Sequence, residues 1–221
     1  SSIDYKLKET HEYTMILSEK YYGPGSYNNW IRVGWALAST DPKMLLTWIK
    51  FSSKSKEFDW NDIYDLVDKW KTFDFDNPDN LTHRSIMYWA KKDSLDEYIK
   101  IRNNTVDYFI EQSLTATEFD LANVLFNIYK DEYVCVSIKN NCWYEYKNNR
   151  WYEIDCGNSL RIKISTFMHD EYLKRIKSGT DKLTLIDHDD AEHDILRKRI
   201  AKLADICQLC KKTQWKNNIM R

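Results

Sequence analysis

The stretch that decides the fold runs from Tyr27 to Asp93: YNNWIRVGWAL (27–37), LLTWIKFSSKS (45–55), FDWNDIYDLVDKWKTF (58–73) and LTHRSIMYWAKKD (81–93). Each piece spaces its apolar residues as a helix does and carries at least one tryptophan. A Lys or Arg stands one or two places away, as in Trp30 and Arg32, Trp48 and Lys50, Trp70 and Lys71, and Trp89 and Lys91. One buried indole removes about 150–250 Å² from water, so tryptophans at this spacing predict the core of a helical bundle. Interleaved cations and aromatics also hold single-stranded nucleic acid, charges on phosphates and rings on bases. The tryptophans are therefore expected inside and the lysines and arginines outside.

The punctuation around these pieces sets their ends. Gly23-Pro24-Gly25 is a turn, and a helix near Tyr27 follows with Trp30, Val33, Ala36 and Leu37 on one face. Asp41-Pro42 reads as an N-cap with proline in the first turn, opening a helix through Lys54. Asp59 caps a third, where Ile63, Leu66, Val67 and Trp70 share a face, and Thr82 caps a fourth reaching Lys92. Phe73 to Asn80, dominated by Asp and Asn around Pro78, predicts a loop. Residues 94–114 keep a helical pattern through Leu95, Tyr98, Ile99, Val106, Phe109 and Ile110. Thr117 with Asp120 then resembles a capping box, ahead of Leu121, Val124, Leu125 and Ile128.

The chain changes character at Tyr133. Tyr133–Lys139, Cys142–Lys147 and Arg150–Asp155 are rich in β-branched and aromatic residues, separated by Asn140-Asn141 and Asn148-Asn149. Asparagine tolerates the positive φ of two-residue hairpin turns, so a three-stranded antiparallel meander is predicted. Two such turns would set Ile138 against Trp143 and Trp143 against Ile154, with Cys135, Tyr146 and Trp151 on the other face. Ser159 is expected to cap a helix from Leu160 to about Lys177, stopped at Gly179. A last helix is expected from Asp187 to about Lys212, with Ile195, Ile200, Leu203, Ile206 and Leu209 inward. The predicted fold is mainly α with a small antiparallel sheet (α+β). It comprises a lead-in (1–26), a helical module (27–93), a helical connector (94–116) and an α+β module (117–221) cut short at its C-terminal end.

Composition excludes several classes. In 221 residues, 43% apolar and 14% aromatic content is ample for real cores. A net charge of −1 from 33 basic and 34 acidic residues excludes a globally basic binder, so any nucleic-acid surface must be local. No apolar run approaches the roughly 20 residues that span a bilayer. The start SSIDYKLKETHEY lacks Met and is no signal peptide, so the chain is expected to be part of something longer. The five cysteines are then expected reduced, in an intracellular compartment.

The order W-x-R-V-G-x-A-L, W-x-x-F-S-x-x-S, K-W-x-x-F and S-I-x-Y-W-A-K resembles the type-2 C-terminal module of viral and plasmid primases. The residues are Trp30, Arg32, Val33, Gly34, Ala36, Leu37, Trp48, Phe51, Ser52, Ser55, Lys69, Trp70, Phe73, Ser85, Ile86, Tyr88, Trp89, Ala90 and Lys91. The family's usual W-S appears as Phe51-Ser52. Downstream, Phe119–Val124, Tyr133–Val136, Trp143–Asp155 and Leu160–Ser165 are similar to the region ahead of the ATPase in poxvirus-type primase–helicases. The resemblance implies the middle of a giant-virus or poxvirus-type primase–helicase. Its superfamily 3 helicase would close a hexameric ring in the host cytoplasm or a viral replication factory. The Lys, Asn, Ile and Tyr bias fits an AT-rich viral genome.

Enzymatic chemistry is sparse. ATP hydrolysis by a phosphate loop needs G-x-x-x-x-G-K-[ST], and glycines at 23, 25, 34, 157 and 179 provide none. Asp74-Phe75-Asp76 has the form of a polymerase carboxylate pair but sits in a predicted loop. His188, Asp189, Asp190, Glu192, His193 and Asp194 suggest a metal cluster, yet histidines five apart on a helix diverge. Cys207-x-x-Cys210 is half a zinc site with no second pair, and reads better as buried helix cysteines. No catalytic residue, metal or cofactor is therefore expected in these residues, whereas the full-length protein would be a primase and ATP-dependent helicase. The candidate DNA-contacting residues are Arg32, Lys50, Lys54, Lys69, Lys71, Arg84, Lys91 and Lys92, with Arg197, Arg199 and Lys202 from a late basic group. The expected function is a non-catalytic linker that binds single-stranded or primer-template DNA and supports primer initiation. It would join primase and helicase domains of one chain and contact other copies in the ring. A collar that only oligomerises and a metal-dependent nuclease are the alternatives.

Overall fold

The computed structural model describes residues 2–73, 81–148, 150–188 and 190–220. The described residues are 72% helical and include a three-stranded antiparallel sheet, as the sequence predicts. It divides into two compact units, Ser1–Asn104 and Thr105–Arg221. The helices of the first unit are α1 (Ser2–Met15), α2 (Tyr27–Ala38), α3 (Leu45–Ser52), α4 (Ile63–Lys71) and α5 (His83–Asp93). Helix α6 (Leu95–Gln112) crosses the division.

The first unit is organised around Trp48, which is fully buried. Trp30 stacks on it with ring centroids 4.7 Å apart, and Trp70 and Phe73 close in at 5.7 and 5.1 Å. Its neighbour Gly34 cannot be larger: a Cβ there would lie 2.8 Å from Phe73 Cε2 and 2.9 Å from Trp48 Cε2. The Trp30 indole N–H donates to Ser52 Oγ at 2.8 Å, and Ser52 donates on to the Trp48 carbonyl. Trp89 does not join this stack. It packs at 5.5 Å on Tyr21, with the Arg32 guanidinium 5.6 Å from its ring centroid.

Capping signals in the first unit hold where they were read. Asp41 accepts from Lys43 N and Asp59 from Asn61 N, each opening a 3₁₀ turn that leads into α3 or α4. Thr82 and Ser85 form a reciprocal capping box on α5. The lead-in residues are more than polar chain: α1 and the turn after it contribute buried Tyr13, Leu17 and Tyr21 to the core, and Tyr13 stacks on Tyr98 of α6.

The second unit continues with α7 (Glu118–Tyr129), strands β1 (Tyr133–Ser137), β2 (Cys142–Lys147) and β3 (Arg150–Ile154), and α8 (Asn158–Lys163). Helices α9 (His169–Leu183), α10 (Ala191–Leu209) and α11 (Thr213–Ile219) complete it. Thr117 caps α7 by accepting from Asp120 N. The β2–β3 register is the expected one, pairing Trp143 with Ile154 and Tyr146 with Trp151 across Asn148-Asn149, of which Asn149 lies outside the described residues. The β1–β2 register is not. Ser137 pairs with Cys142 across a four-residue connection, and after a bulge Cys135, not Ile138, pairs with Trp143. The cause is local bonding: Asn141 sits at φ 49° with its N–H on the Ile138 carbonyl, and its side chain accepts from the Trp143 indole at 3.0 Å. Cys135 thereby moves to the covered face, and the outer face carries exposed Val134, Val136, Tyr146 and Trp151.

Three helix ends also differ from expectation. Ser159 does not cap; its hydroxyl donates to buried Glu145 at 2.9 Å, and the helix continues from α8 through a π turn, Ile164–Met168, into α9. Gly179 does not stop α9. It is a close-approach point, because a Cβ there would lie 3.0 Å from Ile200 Cγ1 on α10. The last helix breaks at Cys210 and resumes as α11, and Ile195 is exposed while His193 is buried.

Candidate nucleic-acid interface

Four of the proposed cations in the first unit stand as expected. Lys50, Arg84, Lys91 and Lys92 are exposed and form no ion pair among the described residues. Lys50 lies near His11 of α1, whose pKa is lowered by burial and by the Lys50 charge, and whose Nδ1 is 2.9 Å from Thr47 Oγ1. The Lys91 ammonium is 6.0 Å from the Tyr98 ring centroid.

The rest are engaged, which corrects the expectation that every such side chain points outward. Lys54 turns in, donating to the Met15 carbonyl at 2.8 Å with its ammonium 4.4 Å from the Tyr22 ring centroid, and burial lowers its pKa. It ties α3 to the C-terminal end of α1, where a cation meets the helix dipole favourably. Arg32 is taken by Trp89. Lys71 pairs with Asp68 at 2.8 Å, an exposed pair of little energetic weight.

Lys69 is different again. Its ammonium lies 3.1 Å from Tyr27 Oη, 5.0 Å from the Tyr27 ring centroid and 5.7 Å from that of Trp30. Tyr27 is 56% exposed, and beside it a cavity of about 260 Å³ opens between the start of α2 and the α3–α4 connection. Trp60 and Tyr64 are also exposed in the first unit, at 65% and 81%. The tryptophan pattern did not find these aromatics, although Tyr64 falls off the Ile63–Leu66–Val67–Trp70 stripe that periodicity draws.

In the late basic group, Arg199 is held by Glu111 through Nε at 3.1 Å, whereas Arg197 and Lys202 are exposed without an ion pair among the described residues. Lys211 and Lys216 are tied to Ser165, through its carbonyl and hydroxyl.

Of the remaining candidates, the two cysteines and His193 are packed inside and Asp190 serves as a cap. Cys207 and Cys210 are buried, and burial raises both thiol pKa values, that of Cys210 to about 12. Asp190 caps α10 by accepting from Glu192 N, so His188 precedes the helix and, contrary to the expected divergence, its ring packs 4.5 Å from that of His193. Among the described residues no three His, Cys, Asp or Glu side chains are grouped to hold a metal ion. Asp74, Phe75, Asp76 and Asp189 lie outside the described residues. No described helix is long and apolar enough to cross a membrane.

Residues 11–90, which span most of the bundle, match the family Primase C terminal 2 (PriCT-2). Two viral proteins are similar over a longer span. A "Putative helicase" of Acanthamoeba polyphaga mimivirus is 35% identical over 150 residues, which are 67% of this chain and 15% of that protein. A "Putative helicase" of Frog virus 3 is 22% identical over 167 residues, 73% of this chain and 16% of that protein. The chain thus spans about a sixth of the length of these relatives. The resemblance read from Trp30 to Lys91 stands: the match to the primase C-terminal family and the similarity to these two viral proteins are consistent with a viral primase–helicase region. Of the nineteen positions carrying the resemblance only Tyr88 and Lys91 are exposed, and nine, Val33, Gly34, Ala36, Leu37, Trp48, Phe51, Ser52, Ile86 and Ala90, are buried. The motif describes how the bundle packs rather than what it touches.

Proposed function

We propose that the chain is a non-catalytic DNA-binding and assembly linker of a viral primase–helicase, which helps a polymerising domain begin primers and couples it to the helicase. The observation that carries this reading is Lys50, Arg84, Lys91 and Lys92 exposed without ion pairs on a primase-type bundle whose tryptophans are largely used for packing. Such cations displace condensed counterions from phosphates whatever the sequence, as a linker holding template strand requires. The test is fluorescence anisotropy with labelled single-stranded and forked DNA across a salt series. The reading expects binding that weakens steeply with salt; no binding at low salt would end it.

A purely structural collar is the second reading, favoured by the outer face of the meander. Val134, Val136, Tyr146 and Trp151 present an apolar surface there. Light scattering showing a stable hexamer at micromolar concentration would move the main role to assembly, whereas the linker reading expects a monomer or weak oligomer.

A further inference from the structure

We infer that the cavity beside Tyr27 takes one unpaired nucleobase of a DNA strand, with the adjoining phosphate at Lys69. This rests on the DNA-binding reading and deepens it, since it adds a base-reading subsite to a surface of phosphate-binding cations.

The cavity's volume of about 260 Å³ is below the roughly 300–1,000 Å³ that drug-sized ligands occupy. It suits a single flat ring system rather than a whole nucleotide. Its walls include Tyr22, Tyr27, Trp30 and Phe58, and Phe58 is braced edge-on by Trp60 at 5.1 Å. Stacking on such rings tolerates any base, because every base has a π face.

Charge selects among ligands. Glu57 and Asp62 also line the cavity, so a phosphate is repelled from its interior and is drawn instead to Lys69 at the rim. Carboxylates only accept hydrogen bonds, so the base edge they favour is one that donates. Guanine presents two adjacent N–H donors and thymine a single one, which predicts a preference for guanine. Aromatic walls with carboxylates would also suit a cationic side chain. Here, however, Lys69 already stands 5.0 and 5.7 Å from the Tyr27 and Trp30 ring centroids, and Lys54 4.4 Å from that of Tyr22. A second cation would meet like charge, and a neutral base would not.

The test uses the whole chain with oligothymidine carrying one central guanine, all-thymine and single-abasic versions of it, free dGMP, and a lysine-rich peptide. Tyr27→Ala and Glu57→Gln/Asp62→Asn are compared with Tyr27→Phe, which keeps the ring; Tyr27 is exposed enough for these changes to leave folding intact. The guanine strand should bind best. Removing its base, or Tyr27→Ala, should weaken binding about tenfold, as expected for one stacked base. Tyr27→Phe should bind nearly as the parent, and the carboxylate variant should lose the guanine preference. Equal, salt-dependent binding of all strands, indifferent to Tyr27→Ala, would overturn the base site and leave the phosphate-binding surface standing. Tyr27-dependent binding of dGMP without any strand binding would keep the cavity as a base site and overturn the DNA-binding reading. Failure of strands and dGMP alike would overturn both, and Tyr27-dependent capture of the peptide alone would overturn the base site in favour of a cationic partner.

Discussion

The Tyr133 hydroxyl donates to Glu145 Oε1 at 2.6 Å, joining β1 to β2 on the face covered by helices. Glu145 is 3% exposed and also accepts from Ser159 at 2.9 Å and pairs with Lys147 at 2.9 Å. Burial alone would raise its pKa, but the donors from Tyr133, Lys147 and Ser159 outweigh it and hold the pKa below the usual carboxylate value. A carboxyl depressed in the folded state adds stability that is complete above its unfolded pKa of about 4.3 and is lost as pH falls through the folded value. Urea denaturation of the second unit should therefore show stability falling steadily below about pH 4–5. Glu145→Gln should flatten that slope and lower stability at pH 7, because a buried donor set loses its charged acceptor. An unchanged pH profile in the variant would show that Glu145 is not the group responsible.

Gly34 offers a sharper test of the aromatic core. Its hydrogen faces Trp48 and Phe73 where a methyl group would lie under 3 Å from both rings. Gly34→Ala should destabilise the first unit by about 1–3 kcal/mol, the usual cost of overpacking, despite alanine's better helix propensity. A thermal melt equal to the parent's would mean that the rings shift freely.

The sequence was most readable where a local signal and a long-range need coincided. Asp41, Asp59, Thr82 and Thr117 each cap in place because the side chain bonds a backbone N–H two or three residues on, a purely local matter. It failed where a residue's partner lies far along the chain. Ser159 looked like a cap, but Glu145 on β2 claims its hydroxyl. Gly179 looked like a stop, but Ile200 on α10 requires it to be small. Asn140-Asn141 failed for a local reason instead: it looked like a two-residue turn, but the Trp143 indole engages the Asn141 side chain and the connection widens to four residues. In the candidate interface, charge type was visible and direction was not. Lys50 and Lys54 stand four apart in the chain, and only the fold separates the exposed one from the one turned to α1.

Thiol chemistry should follow burial. Cys156 is exposed, whereas Cys207 and Cys210 are buried with raised pKa values, so little thiolate forms at neutral pH. An aromatic disulfide reagent at pH 8 should label Cys156 quickly and should reach Cys207 and Cys210 only on unfolding. A chelator should leave the melting temperature unchanged. Stoichiometric zinc in purified protein, lost together with stability on chelation, would overturn this account of the pair.

Lys54 and Lys50 provide the cleanest separation of packing from binding. Lys54 bonds the Met15 carbonyl and sits over Tyr22, so Lys54→Ala should cost about 1–3 kcal/mol, the range for a partly buried hydrogen bond to a charged donor. Its effect on DNA affinity should be small at temperatures where both proteins are folded. Lys50→Ala/Lys91→Ala/Lys92→Ala should behave in the opposite way. Exposed positions without ion pairs change stability by under about 0.5 kcal/mol each. Every lysine that no longer neutralises a phosphate should reduce the dependence of log affinity on log salt by about 0.7 for single strands. The triple variant should therefore bind every sequence more weakly at low salt, with a flatter salt dependence, and converge on the parent as salt rises. Parental affinity in the triple variant at low salt would remove these lysines from the DNA-binding surface. The same titration with Arg197→Ala/Lys202→Ala would then decide whether α10 supplies it.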